Sequence, residues 1–258
     1  MRLVASQVGA LALRSVTRTA RQPASAIPPI LFPVSLMLVN AAGLDASTRL
    51  PGFPTDSFLA FALAVPFIQG ALFSTMNAGT DLARDIQNGF LNRLALTSMR
   101  GSALLAGQLG GIVVLGLVQA VVYLLVGIAA GVDFASGPLG ILVLLAFAAL
   151  VSVGFGALGC FLALRTGSGE AIQGLFPFLF VFLFLSSMNA PRDLIGVDWF
   201  RFVATINPVS YLIECVRSLI IVGWDGQAIL LGFGFAAAIG LVSLALAAGA
   251  LKERLART

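Results

Sequence analysis

The side chains that carry most acid–base and metal chemistry are nearly missing from this chain of 258 residues. It has no histidine, which removes serine–histidine dyads, histidine proton relays and most zinc sites at once. The one stretch shaped like a phosphate loop or a nucleophile turn is Thr166-Gly167-Ser168-Gly169-Glu170. A phosphate loop needs a lysine to reach the phosphates, and the only lysine here is Lys252, far along the chain. The stretch is therefore predicted to be a flexible turn. No catalytic residue, no metal ligand set and no cofactor is expected on this chain.

What must position the remaining polar groups is a set of six stretches without a charged residue, at 27–44, 57–80, 102–131, 139–164, 171–190 and 228–251. A helix rises about 1.5 Å per residue and hydrocarbon is roughly 30 Å thick, so about 20 apolar residues suffice to cross. With 59% hydrophobic and 10% charged residues, little is left for a water-soluble domain. Backbone groups cannot go unpaired in lipid, and the runs far exceed a barrel strand, so the expected fold is all-α and integral to a membrane. It is a single transmembrane domain over residues 1–258 with six spans. Three attachments complete it: an N-terminal interfacial helix (1–22), a cytoplasmic segment (81–101) and an external re-entrant hairpin (191–227).

Six crossings put both termini on one side. That side collects Arg2, Arg14, Arg18, Arg21, Arg84, Arg93, Arg100, Arg165, Lys252, Arg254 and Arg257, which is 11 of the 15 basic residues. Basic residues stay on the cytoplasmic side, so both termini are predicted to be cytoplasmic, in a plasma or inner membrane. The net charge of +4 is read as a topology signal, with no nucleic-acid partner. Cys160 then lies near the cytoplasmic end of the fourth span and Cys215 in the external connector, too far apart to pair.

In the N-terminal segment, Ala24-Ser25-Ala26 looks like a cleavage site, but Arg14, Arg18 and Arg21 follow the apolar part instead of preceding it. Val4, Val8 and Leu11 form a strip beside those arginines, which suits a helix in the interface with arginine stems snorkelling toward headgroups. In the 81–101 connector, Asp81, Arg84, Asp85, Gln87 and Asn88 make a polar side, and Phe90, Leu91 and Leu94 an apolar one, before Arg93 and Arg100. This reads as a short amphipathic surface helix, either a simple anchor or a lever that docks in a groove of another protein.

In the 191–227 connector, Asn207 can cap a helix whose first turn holds Pro208, running to about Val222, with Tyr211 on it. Glu214 and Arg217 stand at i, i+3 and are expected to pair. Too short to span, this helix should dip into the outer leaflet or pack against the bundle.

Within the spans, Phe176, Phe180 and Phe184 form one stripe, with Phe178 and Phe182 roughly opposite. They either face lipid and pack, or border a greasy path. Asn40, Gln69, Asn77 and Asn189 are uncharged polar residues available to line a seam, and Pro66 and Pro177 can kink their helices.

Taken together, these features resemble the membrane subunit of a type-2 ABC transporter, in the branch that exports drugs or lipids. The likeness covers essentially the whole chain. Asn207-Pro208-Val209-Ser210-Tyr211 with Glu214 and Arg217 is similar to that family's asparagine–proline motif after span five. Arg84-Asp85 through Gly89, Arg93, Leu94, Ala95, Leu96 and Thr97 is similar to the stretch that opens its coupling region, with Ser98 where the family often has proline. The resemblance implies pairing with a second copy or a close homologue, around a path formed largely by spans one, two and five. It also implies a bound dimer of ABC ATPase subunits, which would carry ATP and Mg, so that this chain is no enzyme by itself. Arg84, Asp85, Phe90, Arg93, Leu94 and Arg100 would carry the coupling. Asn40, Gln69, Asn77, Phe176, Phe180 and Phe184 would border the path. Asn207, Pro208, Tyr211, Glu214 and Arg217 would organise the external hairpin.

The reading that follows is ATP-driven export of a hydrophobic or amphiphilic drug or lipid-like molecule. A polysaccharide or teichoic-acid-like glycolipid is the alternative within the family, weakened by the presence of only two Trp and two Tyr. An ion-coupled secondary transporter is the alternative outside it, awkward because no span holds an acid, a base or a histidine.

Overall fold

The computed structural model describes Gly9, Ala12, Arg14, Thr17 and residues 27–89 and 101–256. Nine α-helices are found among them, with no strand. They are α1 (Pro28–Leu44), α2 (Phe58–Ala62), α3 (Ala64–Gln87), α4 (Gly101–Ala129), α5 (Gly137–Thr166), α6 (Gly169–Phe184), α7 (Asp198–Ile206), α8 (Pro208–Arg217) and α9 (Gly226–Leu255). Among the described residues, five helical stretches are long and apolar enough to cross a membrane: Pro28–Arg49, Phe58–Gln87, Ala103–Ala129, Gly137–Thr166 and Gly226–Leu255. The protein is thus an all-α, multi-pass membrane protein.

The crossing of span five is shorter than expected. The uncharged run to residue 190 is helical only to Phe184, and the 16-residue α6 rises about 24 Å. Its direction follows from its ends. The turn preceding α6 lies against the C-terminal end of α3, where Gln87 Nε2 donates to the Gly167 carbonyl at 3.3 Å. The chain just after α6 is held instead by α8, at the far end of the bundle. The helix therefore crosses, and the chain leaves helical geometry at Leu185 to bury Ser186, Ser187 and Met188.

The α2–α3 rod is the centre of the bundle, nearly all of it buried, whereas α1 is peripheral. The rod breaks at Leu63, one residue past Ala62, whose carbonyl Pro66 has no N–H to reach. A similar gap in α1 is filled from a neighbour. Pro33 has no N–H for the Pro29 carbonyl, and Tyr123 Oη of α4 donates to it at 2.7 Å.

Small residues let α3, α5 and α9 approach one another. A Cβ on Gly159 of α5 would overlap the Thr75 carbonyl of α3 and come within 3.1 Å of Gly79 N, while Gly154 lies against Gly240 of α9. Thr75 Oγ1 donates to the Phe155 carbonyl at 2.9 Å across the same contact. Such close backbone packing is how helices associate where lipid removes the hydrophobic drive. The apolar core accordingly falls into two clusters, one around Leu63, Ile68, Leu183 and Leu212, the other around Leu82, Ala163 and Leu251.

Candidate functional site

The two ends of the bundle carry its polar architecture, and they differ. At one end, the C-terminal end of α3 meets Arg14 of the N-terminal segment, and the C-terminal ends of α5 and α9 meet each other. Arg14 grips Asp85 with two bonds, Nη2 to Oδ1 at 2.9 Å and Nη1 to Oδ2 at 3.3 Å. Arg165 pairs with Glu253 at 2.8 Å, and Arg254 Nη1 donates to the Leu164 carbonyl at 2.7 Å. The Arg14 guanidinium is held by a carboxylate that is itself nearly buried, while the Arg14 side chain remains 42% exposed.

The predicted surface helix of the 81–101 segment is corrected in its first part. Asp81 to Gln87 continue α3 to its end, closed by Asn88 and by Gly89 at φ +65°, because nothing in Ala83-Arg84-Asp85-Ile86 interrupts helical bonding. Arg84 thus rides the last turn of α3, half exposed, 3.9 Å from Asp81. Phe90, Arg93, Leu94 and Arg100 lie outside the described residues, as does most of the 1–22 segment, of which Gly9, Ala12, Arg14 and Thr17 are helical.

A bidentate arginine–carboxylate pair with one buried member is stronger than an exposed pair such as Arg165–Glu253. Asp85→Asn and Arg14→Gln are each expected to lower the thermal midpoint, and Arg14→Asp with Asp85→Arg to recover part of the loss. A double-mutant cycle should give a coupling energy of about 1–2 kcal/mol; strictly additive losses would show that the pair contributes nothing.

At the other end stands the hairpin. Helices α7 and α8 meet at 80°, with Asn207 at the corner. Asn207 Oδ1 accepts from Val209 N at 2.9 Å, capping α8 as expected. Its Nδ2 also donates to the Phe182 and Leu185 carbonyls at the end of α6. One side chain therefore answers orphan groups of two helix termini. Pro208 opens α8, and Tyr211 donates to the Thr205 carbonyl at 2.8 Å while stacking on Phe235 of α9, centroids 4.6 Å apart.

The expected Glu214–Arg217 pair does not form. Glu214 accepts from Arg192 at 2.6 Å, and Arg192 also lies over the Tyr211 ring. Arg217 is buried, donating to the carbonyls of Phe61 (3.1 Å), Ser187 and Met188, with its guanidinium 3.4 Å from the Phe61 ring centroid. The break between α2 and α3 and the unwound end of α6 both leave carbonyls without helical donors, and Arg217 answers them. Ser187, Phe61 and Arg192 carry no sequence signal for these roles, since each contact spans more than 20 residues. Arg217 and Glu214 do: a charged side chain on an otherwise apolar helix must find partners.

Helix α8 continues as a π-turn, Ser218–Val222, whose Leu219 and Ile220 carbonyls accept from Ser136 and Ala135 ahead of α5. Gly223 at φ +102° reverses the chain, and Asp225 caps α9 through Gln227 N and Ala228 N.

Between the ends, the predicted phenylalanine stripes separate except at Phe184. Phe178 and Phe182 are more than half exposed. Phe176 and Phe180 pack on each other and on Phe73 of α3, at centroid distances of 4.9 to 6.0 Å, and Phe180 reaches Phe32 of α1 at 6.2 Å. Phe184 stands 53% exposed above them, and Asn40 and Asn77 are half-buried. Gln69 is fully buried in the subunit, with neither amide atom hydrogen-bonded among the described residues. It is closed off from the open surface on which Phe32 and Phe184 lie. Cys160 and Cys215 are both buried and free, and among the described residues no three His, Cys, Asp or Glu side chains cluster.

The bundle thus combines a short crossing helix, a capped asparagine–proline hairpin at one end and a charged cluster at the other. Residues 6–221 match the family described as ABC-2 type transporter, so this chain belongs to that family and is a transmembrane subunit of an ABC transporter. It is similar to the ycf38 transport permease of Cyanophora paradoxa, 27% identical over 202 residues, or 77% of this chain and 69% of that one. It is similar also to the daunorubicin resistance ABC transporter permease protein DrrB1 of Streptomyces coeruleorubidus, 29% identical over 64% of this chain and 58% of that one. The ycf38 transport permease of Pyropia yezoensis is 27% identical over 83% of this chain and 73% of its own length.

Proposed function

We propose that this subunit moves a hydrophobic or amphiphilic molecule, drug-like or lipid-like, out of the cytoplasm or its inner leaflet, powered by ATP hydrolysed on a separate ABC ATPase. Both termini face the cytoplasm, in keeping with the basic residues at the Asp85 end. Two copies, or this chain and a close homologue, pair around the path. The ATPase pair binds at the Asp85 end and pushes on the chain that links α3 to α4, shifting the bundle between inward-open and outward-open populations.

The observation that carries this reading is the phenylalanine surface formed by Phe32, Phe176 and Phe180 over the buried Phe73, which joins α1, α3 and α6 and has no charged neighbour within the spans. Such a surface suits an apolar cargo, whereas an ion-coupled pump needs an ionisable group in the membrane. The daunorubicin resistance relative is in keeping with it.

The test is transport of a fluorescent amphiphile into inverted vesicles that hold this subunit and its ATPase. Accumulation is expected to need ATP and to stop with vanadate, and Phe180→Ala is expected to cut it at least fivefold for bulky cargo. Full transport without nucleotide would overturn the proposal.

A further inference from the structure

The hairpin end holds a cavity of about 350 Å³, at the small end of the range for ligand pockets (roughly 300–1,000 Å³). Three guanidiniums, of Arg192, Arg201 and Arg217, and three carboxylates, of Asp193, Glu214 and Asp225, line it. One pair cancels internally, since Arg192 and Glu214 bind each other at 2.6 Å.

The others do not cancel. Arg217 spends one N–H from each nitrogen on carbonyl oxygens, which leaves two of its five donors, and among the described residues no carboxylate lies within ion-pair distance of it. Arg201 uses Nε on the Ile195 carbonyl and meets only the exposed Asp198, at 3.7 Å. On the acidic side, Asp225 spends Oδ1 on capping α9, and neither it nor Asp193 joins an ion pair among the described residues. The cavity thus offers two under-used cations and two under-used anions together. A ligand with one sign of charge would be repelled by half of this lining, and a ligand with both would satisfy it.

The surroundings say where such a ligand comes from. Val222 lines the cavity and is 65% exposed, and Trp199, Phe202, Ile206 and Trp224 of the same hairpin are each more than half exposed. Both tryptophans of the chain therefore belong to the hairpin that lines most of the cavity. Exposed tryptophans flanked by apolar residues mark the level of lipid headgroups.

We infer that this cavity holds the headgroup of a zwitterionic phospholipid from the leaflet at the hairpin end, its phosphate taken by Arg201 and Arg217 and its primary ammonium by Asp193 and Asp225, with the acyl chains along the exposed apolar residues. The inference is independent of the transport reading, because it concerns binding without nucleotide or ATPase.

The test uses the purified, delipidated full chain in detergent, titrated with one lipid at a time and followed by native mass spectrometry. Dioleoyl phosphatidylethanolamine is expected to bind at least tenfold more tightly than dioleoylglycerol or dioleoyl phosphatidylglycerol. Arg201→Gln, at an exposed position, is expected to weaken both phospholipids at least threefold. Asp193→Asn should weaken phosphatidylethanolamine and strengthen phosphatidylglycerol, a reversal that loss of fold cannot produce. Equal binding of all three lipids, or preference for phosphatidylglycerol, would overturn the assignment. So would soluble phosphoethanolamine binding as tightly as the lipid, since the ligand would then come from water.

Discussion

Gly159→Ala is expected to cost this protein at least about 2–3 kcal/mol and most of its folded yield, although it adds one methyl group. In an ordinary exposed helix the same change would stabilise by up to about 1 kcal/mol, because alanine is the better helix former. The sign reverses here because the new Cβ would enter the Thr75 carbonyl of α3 and crowd Gly79 N. Backbone cannot rotate out of the way as a side chain does, so α3 and α5 must separate and the Thr75 to Phe155 bond must lengthen. Gly234 of α9 is the control, since nothing lies within 4 Å of a Cβ built on it. Thermal midpoints in detergent, read by size exclusion, should fall for Gly159→Ala and stay level or rise for Gly234→Ala. Equal midpoints for the two would show that α3 and α5 are not in backbone contact.

Arg217→Gln is the second large effect, expected to destabilise by about 3–5 kcal/mol and to loosen the hairpin. The cost of taking a guanidinium out of water is several kcal/mol, so its net contribution in the native protein is small. Removal is different, because the partners stay behind. Three carbonyls, of Phe61, Ser187 and Met188, lose their donor, each worth about 1–3 kcal/mol when buried and unpaired, and glutamine can answer only one or two. The stacking on Phe61 goes too. Arg217→Lys should fall between, since an ammonium keeps charge and donors but lacks the planar fork that reaches three separate oxygens. Proteolysis of intact protein in nanodiscs, with cleavage sought at the Ser187–Arg192 turn, should rise in the order arginine, lysine, glutamine. Lysine behaving as arginine does would show that charge alone matters there.

Much of the molecule could be read from its sequence, and the rest could not, for a reason visible at particular residues. The spans at 102–131, 139–164 and 228–251 lie within a few residues of α4, α5 and α9. The helix from Pro208 to Val222 was legible from Asn207-Pro208, and the interruption of span two from Pro66. These are local matters of hydrogen-bond supply, decided within a turn or two of helix. By contrast, the helix of span five ends at Phe184 although apolar residues run on to 185. It can end there because Asn207 and Arg217, more than 20 residues away, take over carbonyls in its last turn and just beyond it.

Pairing of charges was the least legible. Glu214 and Arg217 sit at a spacing that favours a bond, yet Arg192 takes Glu214 and carbonyls take Arg217. Likewise Arg14 has no local reason to find Asp85, 71 residues on. An unbroken apolar run in lipid has no backbone partner but itself, so the sequence alone determined that this chain is a bundle of membrane-crossing helices, and roughly where each begins. Which buried polar group answers which was left to the tertiary structure, because every helix end and every proline frees groups of similar strength. Only the packing of α3, α5, α6 and α8 brings one donor within 3 Å of one acceptor and keeps the others away.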